Sequence, residues 1–221
     1  MTTAPALHHR NFDTLVRTLR DRHGPIEVAP LGLIDQFIWS FLLWEADPAD
    51  AERALHKVQK AVVDFNELRV CLPEETVAII GPRYSRAHER AMRLRAGLQD
   101  IYFREHMVSL DHLKDAPKRT ARQYLDTLDG VPPFVSGRVF LMGLGGHATP
   151  LDDRLLENLI EADVFDEDTT PERAIPALER HVKAEDAVET HMLLLAWCAA
   201  GAPRPKGVKP RAAGKPKSRK D

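Results

Sequence analysis

The chain has 221 residues, 43% of them hydrophobic and 29% charged, with a formal charge of −2. That suffices for a core in one domain or two small lobes, and no apolar run is long enough to span a bilayer. Two distant cysteines, Cys71 and Cys198, exclude a disulfide framework and a Cys-only metal site. The small net charge hides an asymmetry. Residues 203–221 carry eight basic side chains and one acid, +7, which leaves −9 on residues 1–202. Such a tail suits a disordered end that binds nucleic acid or aids solubility.

Taken in order, residues 1–8 read as disordered. Asn11 to His23 has Phe12, Leu15, Val16 and Leu19 on one helical face, and Gly24-Pro25 stops it. Leu31 to Trp44 is the most apolar stretch; its length predicts a buried central helix, with Trp39 and Trp44 in the core. Asp47-Pro48 opens a helix expected to run to about Phe65, with Ala51, Ala54, Leu55, Val58, Val62 and Phe65 inward. Pro73 to Ile80 is a short helix closed by Gly81-Pro82. A long one follows over Ser85 to Glu105, its exposed face carrying Arg86, Arg90 and Arg93. Ser109 starts a short turn of helix. After Asp152 come helices over Asp152–Ala162, Pro171–His181 and Glu185–Ala200. No alternating strand pattern and no internal repeat is evident, so the fold expected is all-α.

Arg119 to Asp153 is the most informative stretch. Ala121, Tyr124, Leu125 and Leu128 mark a one-sided helix, and Gly130 suits the left-handed residue past its end. Pro132-Pro133 suits the first turn of a second helix through Phe134, Val135, Arg138, Val139 and Leu141. Gly143, Gly145 and Gly146 are expected to break it, and Asp152-Asp153 to open the next helix as cap and first turn. A tight hairpin of this kind aims backbone N–H groups and a helix start outward, an arrangement that holds a phosphate. A carboxylate at the following helix start can stabilise a developing positive charge or activate a water.

This order resembles the helix-hairpin-helix DNA glycosylase superfamily, to which endonuclease III belongs. The hairpin Leu128-Asp129-Gly130-Val131-Pro132-Pro133-Phe134 is similar to the family's L-P-G-V-G, and Asp152 falls on the family's Asp after a Gly-rich loop. Ile79 to Leu94 is similar to a further family motif, with Arg86 where a Lys is usual, and His191 to Cys198 to its final core helix. The resemblance spans roughly Leu31 to Ala200. It implies two lobes with a cleft between them: a six-helix bundle over 28–149 with the hairpin at 119–142, and a terminal lobe of 9–27 plus 150–201, before a basic tail at 202–221. DNA would lie across the cleft with a base flipped into it.

Three departures shape what the resemblance implies. Phe134 stands at the lyase Lys position, so no amine is there to form a Schiff base. The four cysteines of the family's iron–sulfur cluster are missing after Cys198. Pro132 and Pro133 each remove an N–H that could hold a phosphate. The reading is a monofunctional DNA N-glycosylase of base excision repair, with Asp152 catalytic; Gly130, Val131, Arg86, Arg90 and Arg138 binding DNA; and Phe134, His147 and Glu45 as pocket candidates. Glu45 falls near a position where family members place an amide that fills the gap left by the flipped base. The alternative is a catalytically degenerate DNA-binding or interaction module. With no H-E-x-x-H or C-x-x-C pattern, no metal site and no cofactor is expected. The expected partner is double-stranded DNA with a damaged or mismatched base, without membrane attachment. A monomer is expected. The N-terminus lacks a signal pattern, and the cytoplasm, at the nucleoid, is the expected location.

Overall fold

A computed structural model of the chain describes residues 7–24, 26 and 30–201. The tail at 203–221 and residues 1–6 lie outside the described residues. The described chain is all-α, with eleven helices and two 3₁₀ turns and no strand. Helix α1 (His9–His23) buries Phe12, Leu15, Val16 and Leu19, and ends at Gly24 with φ 64°. Residues 7 and 8 are not part of a disordered end: Leu7 is buried, and His8 donates its N–H to Val164 O (2.9 Å), with its ring nitrogen 2.7 Å from Asp163 O.

Helix α2 (Leu33–Leu43) is the buried centre that its composition predicts, and α3 (Pro48–Ala61), α6 (Ala87–Glu105) and α8 (Pro133–Leu144) pack on it. Trp44 at its end is buried, and Trp39 is half-buried against the core. Helix α3 stops at Ala61, short of the expected Phe65, because Asp64 caps a separate helix α4 (Phe65–Val70). Asp64 accepts the Glu67 N–H and Glu67 accepts the Val63 N–H, a reciprocal cap that outcompetes continuation of α3. α5 (Pro73–Ile80) packs on α3 and α6. α7 (Lys118–Asp126) follows a 3₁₀ turn (Asp111–Lys114) and lies against α8.

Helix α8 runs past Gly143 to Leu144 and ends at left-handed Gly145 (φ 59°). Gly143 is inside the helix because α2 lies against it there; a Cβ would stand 2.5 Å from Leu33 Cδ2. The loop then leads to α9 (Asp153–Glu161), α10 (Pro171–His181), a 3₁₀ turn (Ala184–Asp186) and α11 (Ala187–Ala199). α11 touches α1, α9, α3 and α8, so one continuous apolar core joins the first and last described helices. Cys198 is buried in it; Cys71 is only half-buried.

Candidate active site

The α7–α8 hairpin forms as its residues dictate. Gly130 adopts φ 70°, and its bare Cα lets the turn close on α6, where a Cβ would meet Arg93 O and Ala96 Cβ at 3.2 Å. Gly130→Ala combines a left-handed strain with this close approach, and the expected loss of stability is about 1–3 kcal/mol, read as a lower urea midpoint at unchanged slope. The turn has few donors to offer. The Asp129 N–H is taken by Asp100 Oδ2 (2.9 Å) and that of Val131 by Leu128 O (3.3 Å). Val131 therefore does not supply the phosphate donor assigned to it, and Gly130 and Phe134 keep the turn's unengaged N–H groups among the described residues.

Beside the hairpin lies a cleft of about 300 Å³ that brings Asp152, Glu45, Phe134, Val131 and Arg86 together, walled further by Trp44, Glu89, Arg93, Asp153 and the start of α10 at Pro171-Glu172. Asp152 sits at its floor, 9% exposed, as the cap of α9. Its Oδ1 accepts the Leu155 N–H at 2.9 Å and its Oδ2 the Glu45 N–H at 2.8 Å. Burial pushes its carboxyl above the usual aspartate range, against these two hydrogen bonds and Arg154. Glu45 is raised as well, first by burial and then by the charge of Asp152. Phe134 is buried, with no amine in its place.

Three assigned residues lie elsewhere. Arg90 is 0% exposed and does not belong to the open face of α6; it donates to the carbonyls of Phe41, Trp44 and Ser85. Arg138 is 3% exposed and donates to Ser40 Oγ (3.1 Å), because α8 is enclosed by α2, α7 and α11. Burial pulls both guanidinium groups down, to about 10 for Arg90 and about 9 for Arg138, so both stay charged at neutral pH. His147 is exposed and points to Val182 O (2.9 Å), away from the cleft. Arg86 is at the cleft, held by Glu89 at 3.1 Å and near Glu45 and Asp153 at 3.9 and 3.8 Å. The sequence reading missed Glu89, Arg93 and Glu172 as lining residues. The spacing of Glu89 three after Arg86 and four before Arg93 was a usable signal, since such residues share a helix face. Glu172 had none, because α10 reaches the cleft only through the fold. The lining has five carboxylates and two guanidinium groups.

No protein-family model matches the sequence, and no curated protein does. Solved structures do match its fold. A trapped endonuclease III–DNA covalent intermediate is 13% identical, with a TM-score of 0.66 over 87% of this chain and 86% of that one. The Clostridium acetobutylicum 8-oxoguanine glycosylase/lyase in complex with DNA is also 13% identical, with a TM-score of 0.67 over 86% of this chain and 67% of that one. A thermostable thymine-DNA glycosylase is 15% identical, with a TM-score of 0.64 over 91% and 93%. The described chain therefore has the all-helical fold of these helix-hairpin-helix DNA glycosylase structures.

Proposed function

We propose that the chain binds double-stranded DNA across this cleft and acts as a monofunctional DNA N-glycosylase. The observation that carries the reading is Asp152: a buried carboxylate, fixed by two backbone N–H groups, at the floor of a cleft in this fold. As the bond from C1′ to a flipped base stretches, positive charge grows on the sugar, and a carboxylate held in a poorly solvated site stabilises it. Water then adds its hydroxyl to C1′, and its proton leaves with the base. Phe134 offers no nitrogen for a Schiff base, so the sugar–phosphate chain stays intact.

The test is base release from end-labelled duplexes carrying uracil, a thymine–guanine mismatch, hypoxanthine, an alkylated purine, 8-oxoguanine or an abasic site. Strand breaks are expected only after alkali. Breaks without alkali would show a lyase nucleophile and overturn the monofunctional assignment; no release from any duplex would overturn the enzyme reading.

A second reading, a DNA-binding module without catalysis, is favoured by the charge of the cleft, whose two arginines are each engaged by Glu89. It places DNA affinity in the tail. Deleting residues 203–221 should then weaken binding at least about tenfold and flatten the salt dependence, by about 0.9 in log–log slope for each phosphate that the tail had neutralised. Full affinity after deletion would put binding in the cleft.

A further inference from the structure

Among the described residues Glu45 is one of four non-glycine residues in left-handed backbone (φ 54°), and it lies between two helices, not in a loose loop. Its surroundings fix that conformation. The Ala46 N–H closes the turn onto Leu43 O at 3.0 Å, the buried guanidinium of Arg90 takes the Trp44 carbonyl, and Asp47 caps α3 through the Ala49 N–H. A left-handed glutamate costs on the order of 1 kcal/mol or more, so the surrounding contacts hold it there. The conformation aims the Glu45 N–H at Asp152 Oδ2 (2.8 Å), while its side chain returns across the same gap and Oε1 accepts the Asp153 N–H (3.0 Å). One residue thus grips the start of α9 twice, from 107 positions away in sequence. Its carboxylate is 12% exposed, and Oε2 lies toward Arg86 Nε at 3.9 Å.

Resting on the glycosylase reading, we propose that Glu45 is the positioning residue for Asp152: the two-way clamp sets the Asp152 carboxylate against the cleft and couples the charges of the two carboxyls. Groups from every neighbouring element face this pair, among them Arg93 at the cleft and the Cys198 thiol of α11 beside Asp152. Asp153 and Arg154 come from α9, Arg86 from the residue that precedes α6, Glu89 and Arg90 from α6, Asp47 from the cap of α3, and Glu172 from α10. Burial first, and then the charge of Asp152, hold the Glu45 carboxyl above the usual glutamate range. Removing the charge of Asp152 moves the Glu45 step to lower pH.

The test uses the full chain with carbon-labelled carboxyls, in wild type, Glu45→Gln, Glu45→Gly and Asp152→Asn. In wild type the Asp152 resonance should report its own step and a second one at the Glu45 midpoint. The second should vanish in Glu45→Gln, and the Glu45 midpoint should fall in Asp152→Asn. Glu45→Gly keeps the backbone and its N–H but loses the grip on Asp153; single-turnover base release should fall about tenfold or more with DNA affinity retained. Glu45→Gln, whose amide oxygen still accepts that N–H, should recover most of the rate. An Asp152 resonance that never senses Glu45, or a Glu45→Gly rate equal to wild type, would overturn the proposal. A wild-type protein that releases no base from any duplex defeats the glycosylase reading alone, and the titration then decides the clamp.

Discussion

Asp152→Asn is expected to lower single-turnover base release about 10²- to 10⁴-fold while leaving the fold intact. The two halves of that result have separate causes. Asn is as good a helix cap as Asp, so its amide oxygen can keep the Leu155 N–H and the start of α9 holds. One amide oxygen cannot also serve the Glu45 N–H, so about 1 kcal/mol of hydrogen bonding is lost. Against that, a neutral amide escapes the burial that penalises the carboxylate. The sign of the pH dependence follows. A carboxyl raised in the fold lends stability that is fully present below its ordinary value, near 3.9, and is lost as pH rises through the raised one. The variant has no such loss, so its thermal midpoint relative to wild type should improve from about pH 4 towards neutral. Base release by wild type, which needs the ionised form, should fall on acidification at a pH above the ordinary aspartate range. An Asn variant with wild-type release would remove Asp152 from the chemistry; one that unfolds would make the cap its main role.

Much of this molecule is written in local signals. Proline, glycine and aspartate punctuate most helices where the periodicity changes, and the hairpin forms around Gly130 for a reason visible in its type. Even the α3–α4 break was legible: Asp64-x-x-Glu67 has the spacing of a capping box, masked by Val62 and Phe65, which continue the inward face of α3. Arg90 was misread although its register gave it away, since it falls in the buried stripe of Ala87, Ala91, Leu94, Leu98 and Ile101. Arg138 had no such register, because α8 buries nearly all its sides and has no polar face to mark. The Glu45 clamp could not be read at all. It depends on a left-handed residue and on a partner more than a hundred positions on, and neither leaves a trace in the local pattern.

Arg90→Ala should be the most damaging single change to stability, about 3–5 kcal/mol, seen as a large fall in the urea midpoint. Helix α2 ends in the core, where the Ala46 N–H takes Leu43 O and the Tyr84 hydroxyl takes Leu42 O, but no backbone donor among the described residues reaches Phe41 O or Trp44 O. The Arg90 guanidinium supplies the donors, to Phe41 O and Trp44 O, and also holds Ser85 O at 3.2 and 3.0 Å ahead of α6. Its plane lies within 4.9 Å of the Tyr84 ring centre and 5.5 Å of that of Trp44. Alanine would leave three carbonyls without these donors and a cavity between two aromatic rings. Lysine has one ammonium in place of a planar fork and should rescue little. Arg86→Ala is the control: that side chain is 41% exposed, and its ion pairs with Glu89, Glu45 and Asp153 should be worth under about 1 kcal/mol. Equal costs for the two variants would mean that Arg90 does not cap α2. A large difference would show that the turn carrying Glu45 is held from beneath by a buried cation, which ties the geometry of the cleft floor to the packing of α2 on α6.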